Sequence, residues 1–177
     1  MKIEQLQKHE LDRVQKIAHL TWPNTFKEIL SSEQIDYMLN WMYNIETLSK
    51  QLNDGHHFYM LIDQGQDVGF IGVQPYYPTI TETKLHKIYI LPSCQGKGAG
   101  LILMKKAEEV ALTSSTDSLI LNVNRYNNAT SFYQKIGFVY LKTGELIKKI
   151  DGSTFQSSFA MSPDGTKLYA VINSGSN

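Results

Sequence analysis

Hydrophobic residues recur at helical spacing in three segments near the beginning of the chain. The first apolar stripe starts at Leu11, and Pro23 predicts where that helix ends. Ser31 stands three residues before a glutamine, the spacing of a capping box, and therefore indicates the start of a second helix. A third, shorter helix is predicted over 45–52, just before an Asn-Asp-Gly sequence of the kind that ends helices.

The pattern then changes to apolar runs of strand length. Two such runs, 57–62 and 68–73, flank a glycine-containing turn of hairpin length, which predicts an antiparallel pair of strands. A further, largely apolar strand is predicted over 85–91, directly before a glycine-rich segment. A short strand candidate at 2–6 precedes the first helix, so strands are expected on both sides of the helical region.

Helical and strand patterns alternate after the glycine-rich segment. A helix is predicted from Leu101 onward, followed by a buried strand over 118–123. A second helix over 129–136 ends at a glycine, and a strand over 138–141 follows it. Strand, glycine turn, helix, strand and helix in this order predict an α/β (α+β) fold.

The last part of the chain predicts a hairpin. Two alternating segments, 154–161 and 167–172, flank a Ser-Pro-Asp-Gly sequence that is typical of a turn. We expect one domain over 1–161 and a C-terminal extension over 162–177, with disorder in its final residues, 173–177.

Composition limits the classes of partner. The chain has 177 residues, 42% of them hydrophobic and 19% charged, which suits one globular domain with one core. Its seventeen basic residues match its seventeen acidic residues. Because the net charge is zero, no overall field attracts nucleic acid or an anionic membrane, and neither partner is expected.

The single cysteine, Cys94, cannot form an intramolecular disulfide, and the first residues lack the long apolar core of a signal peptide. No uninterrupted apolar run reaches about 18 residues, so no membrane-spanning helix is predicted. These features favour the cytoplasm. No metal site is predicted.

The most informative segment is the glycine-rich turn over 95–100, which a strand delivers directly to the start of a helix. Glycines allow the backbone to approach an anion, and the unpaired N–H groups at a helix start point toward it. The pattern of a P-loop and that of a dinucleotide fingerprint are both absent. The residues alone therefore predict binding of some phosphate, with a tight connection that binds no ligand as the alternative.

Two ordered motifs give the chain a family resemblance. Gln95-x-x-Gly98-x-Gly100, preceded by Ile88-x-Ile90-x-Pro92, resembles the acetyl-CoA motif of the GNAT family of N-acetyltransferases. Between 123 and 138, an Asn, an Ala, a Phe-Tyr pair and a Gly-Phe pair follow one another in the order of the family's second signature. The resemblance implies a mixed, mostly antiparallel sheet flanked by helices, and direct acetyl transfer from acetyl-CoA to a primary amine.

The resemblance also implies an acetyl-CoA site. The strand before the turn is splayed and its backbone pairs with the pantetheine arm, while the amides of the turn hold the pyrophosphate. Asn127 is implied to hold the cofactor arm, with Asn124 and Asn128 as alternative registers of the motif. The two lysines of the set are explained equally well as solvated side chains. The implied residues are Ile88, Tyr89, Ile90, Gln95, Gly96, Lys97, Gly98, Ala99, Gly100, Asn127 and Lys135.

Tyr133, in the second motif, is implied to be the general acid that protonates the departing sulfur, with a packing role in the core as the alternative. His86 stands where relatives often carry a glutamate base, and an imidazole is a reasonable base for the amine. Glu82 and unaided water are the fallbacks. A covalent acetyl-cysteine mechanism at Cys94 is disfavoured, because no acid or base partner is apparent beside it.

The acceptor pocket is expected from 21–43 and 74–83, where aromatic residues alternate with acidic ones. Acids beside aromatics suit a cation, and in this layout the chain is similar to bacterial spermidine/spermine N-acetyltransferases. The expected partner is a small-molecule amine such as a polyamine, while peptide N-termini and aminoglycosides stay open. A homodimer is one possible assembly. The alternatives to the enzyme are a non-catalytic acyl-CoA sensor and a phosphate-binding module unrelated to coenzyme A.

Overall fold

A computed structural model describes residues 1–123, 129–140, 145–150, 158–161 and 168–171. Its helices are α1 (Leu11–Phe26), α2 (Ser32–Met42), α3 (Ile45–Asn53), α4 (Ala99–Thr113) and α5 (Thr130–Lys135). Its strands are β1 (Lys2–Gln5), β2 (His57–Asp63), β3 (Gln66–Pro75), β4 (Glu82–Ile90), β5 (Ser118–Asn122), β6 (Val139–Tyr140), β7 (Glu145–Lys149), β8 (Ser158–Met161) and β9 (Leu168–Val171). Every helix and strand that the sequence predicts has a counterpart here.

Seven of the described strands form one mixed sheet in the order β1-β2-β3-β4-β5-β7-β6. Neighbouring strands are antiparallel except β4 and β5, which run parallel. The α/β fold with a mostly antiparallel sheet is thereby confirmed. The strands β8 and β9 pair with each other in a separate hairpin, as predicted. The division of the chain at 161/162 stays a prediction.

Two local outcomes differ from the sequence analysis. Helix α1 continues through Pro23 to Phe26 instead of ending there. Pro23 cannot donate to the carbonyl of His19, four residues earlier, but His19 lies on the exposed face, where water can donate to that carbonyl oxygen instead. Strand β7 was not anticipated, because only Leu146 and Ile147 are apolar in it. It forms because it pairs with β5 and covers what would be an open edge of the sheet.

The sheet separates two hydrophobic cores because successive side chains of a strand point to opposite faces. Along β3, Phe70 faces the core made with α1, α2 and α3, and its neighbour Ile71 faces the core made with α4. Met60 and Leu61 divide in the same way along β2. Helices thus cover each face of the sheet. The place where β4 and β5 stop pairing is left as a position for a site.

The strands β4 and β5 separate partway along their length. Their parallel pairing joins Glu82–Leu85 to Ser118–Leu121 and goes no further among the described residues. On the other side of β4, the register with β3 shifts so that His86 is the extra residue of a β-bulge. Bulges bend a strand and re-aim its side chains, and they are common beside active sites. The splaying expected for this strand is therefore confirmed.

Within the described part of the chain, no helix has the length and apolar character needed to cross a bilayer.

Candidate active site

A cleft of about 730 Å³ opens where β4 and β5 diverge. The second half of β4 forms one wall, the end of β5 and helix α5 form the other, and the glycine turn lies at one end. The lining residues are Thr25, Phe26, Leu85, His86, Lys87, Ile88, Tyr89, Ile90, Gln95, Gly96, Gly98, Gly100, Leu101, Leu121, Asn122, Val123, Ala129, Phe132 and Tyr133.

The glycine turn presents backbone rather than side chains to the cleft. Gly96 and Gly98 have φ angles of +73° and +83°, a region that side chains disfavour, and Gly98 is the N-cap residue of α4. A Cβ atom at either glycine would meet nothing within 4 Å. The Gln95 side chain donates from Nε2 to the Ile90 carbonyl oxygen at 3.3 Å, which ties the turn to the end of β4. The turn is therefore an open cradle of N–H groups that suits an anion.

The structure brings most of the predicted site residues into this one cleft. Three do not line it: Lys97 and Lys135 are exposed, and Ala99 is buried at the first position of α4. Asn127 and its two alternative registers lie outside the described residues. The predicted members that do line the cleft are His86, Ile88, Tyr89, Ile90, Gln95, Gly96, Gly98, Gly100 and Tyr133.

Tyr133 is held by aromatic packing at the wall of the cleft. Its ring meets Phe132 and Phe138 edge-on, with centroid distances of 5.4 Å and 5.9 Å. The residue is 6% exposed, and burial raises the pKa of its phenol to about 12. The phenol therefore keeps its proton at neutral pH, as a proton donor must.

His86 lies in the cleft as a neutral imidazole. Gln74 donates from Nε2 to the Asp54 carbonyl, so its Oε1 accepts from His86 Nε2 at 3.0 Å. This leaves His86 Nδ1 with the free lone pair. Burial, followed by the charges of His56, Lys87 and Lys84, lowers the pKa of His86 to about 3. The imidazole is thus a hydrogen-bond acceptor but a poor proton acceptor near neutral pH.

A second histidine extends this cluster away from the cleft. The ring of His56 lies 4.4 Å from that of His86, centroid to centroid, and 6.3 Å from that of Phe58. Burial, with Lys87 as the next cause, lowers the pKa of His56 to about 4. Two neutral histidines therefore lie side by side next to a buried lysine.

An aromatic cluster forms the wall between β4 and α1. Tyr89 lines the cleft, and its ring centroid lies 6.1 Å from that of Trp22 and 6.2 Å from that of Tyr43. Trp22 Nε1 and Tyr43 Oη are buried without a hydrogen-bond partner in the described structure. Trp22 and Tyr43 are therefore core residues that support Tyr89, rather than members of an exposed acceptor pocket.

The acidic residues expected to bind a cationic acceptor are not in the cleft. Glu28, Glu33 and Asp36 are exposed on the surface of the helical region, and none lines the cleft. Glu82, the fallback base, accepts a hydrogen bond from Thr79 at the start of β4 and does not line the cleft either. Among the described lining residues there is no Asp or Glu.

Lys87 is the charged lining residue that sequence reasoning missed. A signal was present, because Lys87 interrupts the apolar pattern of a strand that enters the core. In the structure Lys87 is 6% exposed, and its Nζ donates to Gln51 Oε1 at 3.0 Å.

A mixed sheet splayed between β4 and β5, with a glycine cradle at the start of α4, defines an acyl-CoA-type transferase site. The family model described as "Acetyltransferase (GNAT) domain" matches residues 26–156 of the sequence, and the chain belongs to this family. It is thus an acetyl-CoA-dependent N-acetyltransferase, and acetyl-CoA is its co-substrate.

Individual relatives agree with the family. Over 113 residues the chain is 30% identical to the [ribosomal protein bS18]-alanine N-acetyltransferase of Haemophilus influenzae, covering 64% of this chain and 74% of the relative. The PaiA N-acetyltransferase of Thermoplasma acidophilum, solved in complex with coenzyme A, has a TM-score of 0.73 and 25% identity, covering 84% of this chain and 99% of that one.

The Escherichia coli ribosomal-protein-S18-alanine N-acetyltransferase shares the fold, with a TM-score of 0.63 and 16% identity over 88% of this chain and 97% of that one. The likeness to spermidine/spermine N-acetyltransferases finds no support in these relatives.

Proposed function

We propose that the cleft binds acetyl-CoA along β4 and transfers its acetyl group to an amine that carries no second positive charge nearby. The observation that carries the proposal is the divergence of β4 and β5 after Leu85 and Leu121. Beyond that point the backbone of β4 lines an open cleft instead of pairing with β5, and an extended pantetheine arm can pair with it as a strand would.

The cofactor end of the site uses the glycine turn. The amides over 95–100 hold the pyrophosphate, because the open space beside Gly96 and Gly98 allows an anion to reach the backbone. Ile88, Tyr89 and Ile90 supply the backbone of the pantetheine groove. Asn127 is proposed for the cofactor arm from its place in the motif alone.

Tyr133 is the proposed general acid. It lines the same cleft as β4, and its buried phenol stays protonated at neutral pH. The sulfur of the leaving coenzyme A gains charge as its bond to the acetyl carbon breaks, and a phenol within hydrogen-bond distance of that sulfur donates its proton to it.

His86 is proposed to orient the amine rather than to titrate with it. Its Nδ1 lone pair accepts a hydrogen bond from the amine, and water carries the released proton away. This role suits an imidazole whose pKa is about 3, because such a ring stays neutral throughout the working range of pH.

The acceptor is proposed to be an amine such as the N-terminal amine of a polypeptide. The described lining offers no carboxylate to a second ammonium group, which a polyamine would bring with it. The curated relative from Haemophilus influenzae is named for an alanine of a ribosomal protein, which agrees with a polypeptide acceptor.

The test is a thiol-release assay with acetyl-CoA and three acceptors: a short peptide with an N-terminal alanine, spermidine and an aminoglycoside. We expect kcat/KM to be highest for the peptide, by at least about tenfold over spermidine. Mass spectrometry of the peptide should locate one acetyl group on its α-amine. A higher kcat/KM for spermidine would contradict the proposed acceptor but not the acetyltransferase chemistry.

A further inference from the structure

Lys87 is a buried cation without a carboxylate partner in the described structure. Its Nζ is in none of the ion pairs of the described residues, although lysines are rarely buried unless they are paired. The ammonium is instead held by Gln51 Oε1 at 3.0 Å and by the ring of Tyr43, whose centroid lies 5.6 Å from Nζ. Burying an ammonium group without a carboxylate partner costs free energy, so its position beside the cleft indicates a functional role.

The groups that face Lys87 do not neutralise it. The Tyr43 ring comes from the residue that follows α2, the neutral Gln51 side chain comes from α3, and Gly72 of β3 is the strand partner of Lys87. His56 and His86 complete its electrostatic surroundings, and Lys87 lowers the pKa of both. Asp54 raises the pKa of His56, but by less than Lys87 lowers it. The positive charge of Lys87 therefore reaches His86, which lines the cleft, and the lining offers no carboxylate to offset it.

We propose that the buried charge of Lys87 disfavours a proton on the acceptor amine in the cleft, so that the amine reacts as the free base without a titrating side-chain base. This inference rests on the proposed function of the cleft. Lys87 does not touch the reacting atoms. It acts through its electric field, which lowers the pKa of the bound amine, and is therefore a positioning residue and not a catalytic one. It replaces the base that neither His86 nor Glu82 supplies.

Every proton in the transfer then has a donor and an acceptor. The acceptor ammonium releases one proton to water when it enters the site. Its nitrogen lone pair forms the bond to the acetyl carbon, the carbon–sulfur bond breaks with its electron pair on sulfur, and sulfur receives a proton from Tyr133 Oη. The new amide nitrogen loses its surplus proton through water, and Tyr133 regains one from the same source.

The same field selects the class of acceptor. An α-amine has a pKa of about 7.7–8.0, whereas an alkyl amine of the lysine type has one of about 10.4, so the α-amine loses its proton at a smaller cost. A polyamine also brings further charges toward Lys87. The inference therefore predicts a preference for peptide or amino-acid α-amines that depends on this one side chain.

The experiment compares the pH dependence of kcat for wild type and Lys87→Met, because kcat reports groups in the enzyme–substrate complex. The acceptors are the alanine peptide and spermidine, and the range runs from about pH 5.5 to 7.5. Burial lowers the pKa of Lys87 to about 8, so its charge is largely present in this range. Two unit charges about 10 Å apart, at an effective dielectric constant of about 20, change an equilibrium on the order of tenfold.

We expect the rising limb of kcat for the peptide to move to higher pH by about one unit in Lys87→Met, and kcat at pH 7 to fall on the order of tenfold. The ratio of kcat/KM for the peptide to kcat/KM for spermidine should decrease in Lys87→Met. Acetyl-CoA affinity should stay unchanged. The matched control is Lys106→Met, because Lys106 also lies over a tyrosine, 5.0 Å from the Tyr59 ring centroid, but does not line the cleft.

If the rising limb of kcat against pH is the same in Lys87→Met as in wild type, the inference is overturned. The proposed function stands in that case, because wild type is active. If wild type acetylates none of the amines, the proposed function itself fails. Should Lys87→Met not fold, Lys87→Gln, which retains a donor for Gln51, is measured in the same way and decides the matter by the same criterion.

Discussion

The glycine turn lies at one end of the cleft, and the cluster of His56, His86 and Lys87 reaches the same cleft through His86 and Lys87, but the two are built differently. The turn over 95–100 offers backbone N–H groups, positive φ angles and open space. The cluster of His56, His86 and Lys87 offers side chains whose pKa values are lowered by burial and, for the two histidines, also by the charge of Lys87. The turn is local in sequence, whereas the cluster gathers residues from separate elements.

This difference explains why one end of the site matches a motif and the other does not. A phosphate is recognised by any backbone that can adopt the turn, so a short pattern of glycines is enough to specify it. The proposed acceptor end depends on the β-bulge at His86 and on the hydrogen bond that Lys87 of β4 donates to Gln51 of α3. We expect substitutions at the two ends to separate cofactor binding from proton chemistry.

The largest effect is expected at the glycine turn. Gly98→Val forces a branched side chain into a φ of +83° and fills the open space through which we propose that the pyrophosphate reaches the backbone. Acetyl-CoA affinity should fall by at least about 100-fold, measured by isothermal titration calorimetry.

The matched control for Gly98 is Gly65→Val in the β2–β3 turn, where φ is +79° and a Cβ atom also meets nothing within 4 Å. Both variants should lose similar thermal stability, since the backbone strain is the same. Equal loss of acetyl-CoA affinity in both would mean that strain alone, and not the cradle, accounts for the effect.

A smaller and purely kinetic effect is expected for Tyr133→Phe. The variant lacks only the phenolic hydroxyl group, which is the proposed proton donor, so kcat should fall about 100-fold while the Kd of acetyl-CoA stays near that of wild type. Tyr59→Phe is the control, because Tyr59 is 6% exposed like Tyr133 but does not line the cleft. Wild-type kcat in Tyr133→Phe would reduce this tyrosine to a packing role.

The smallest effect is expected in the dependence of stability on pH. The pKa values of His56 and His86 are lowered on folding from 6.5 to about 4 and about 3, so the unfolded chain binds more protons than the folded one below about pH 6.5. The stability held above that pH is therefore lost as the pH falls toward 3. We expect the Tm of wild type to drop by a few degrees between about pH 6.5 and 5.

His56→Leu should flatten this part of the Tm curve, because it removes one of the histidines whose pKa is lowered on folding and which therefore take up a proton on unfolding. The exposed His19 provides the comparison, and His19→Leu should leave the curve unchanged. An unchanged curve in His56→Leu would show that the acid sensitivity arises away from the acceptor end.

The sequence by itself determined the order of the helices and of the described strands other than β7, and it determined the glycine turn that we propose for the cofactor. The capping box at Ser31, the hairpin turn between β2 and β3 and the glycine turn all depend on residues a few positions apart. Local backbone preferences are enough to specify such features, and helical or alternating apolar spacing indicates which face is buried.

Only the tertiary structure decided the acceptor end and the pairing of β7. Strand β7 has little apolar pattern of its own and forms because β5 offers it an edge. The acids of the helical region are near the aromatic residues in sequence, yet they lie outside the cleft because the apolar faces of α1 and α2 turn inward. The role that we propose for Lys87 depends on its burial beside Gln51, Tyr43 and the two histidines. The energy of a charge depends on its solvent and its neighbours, and a linear pattern contains neither.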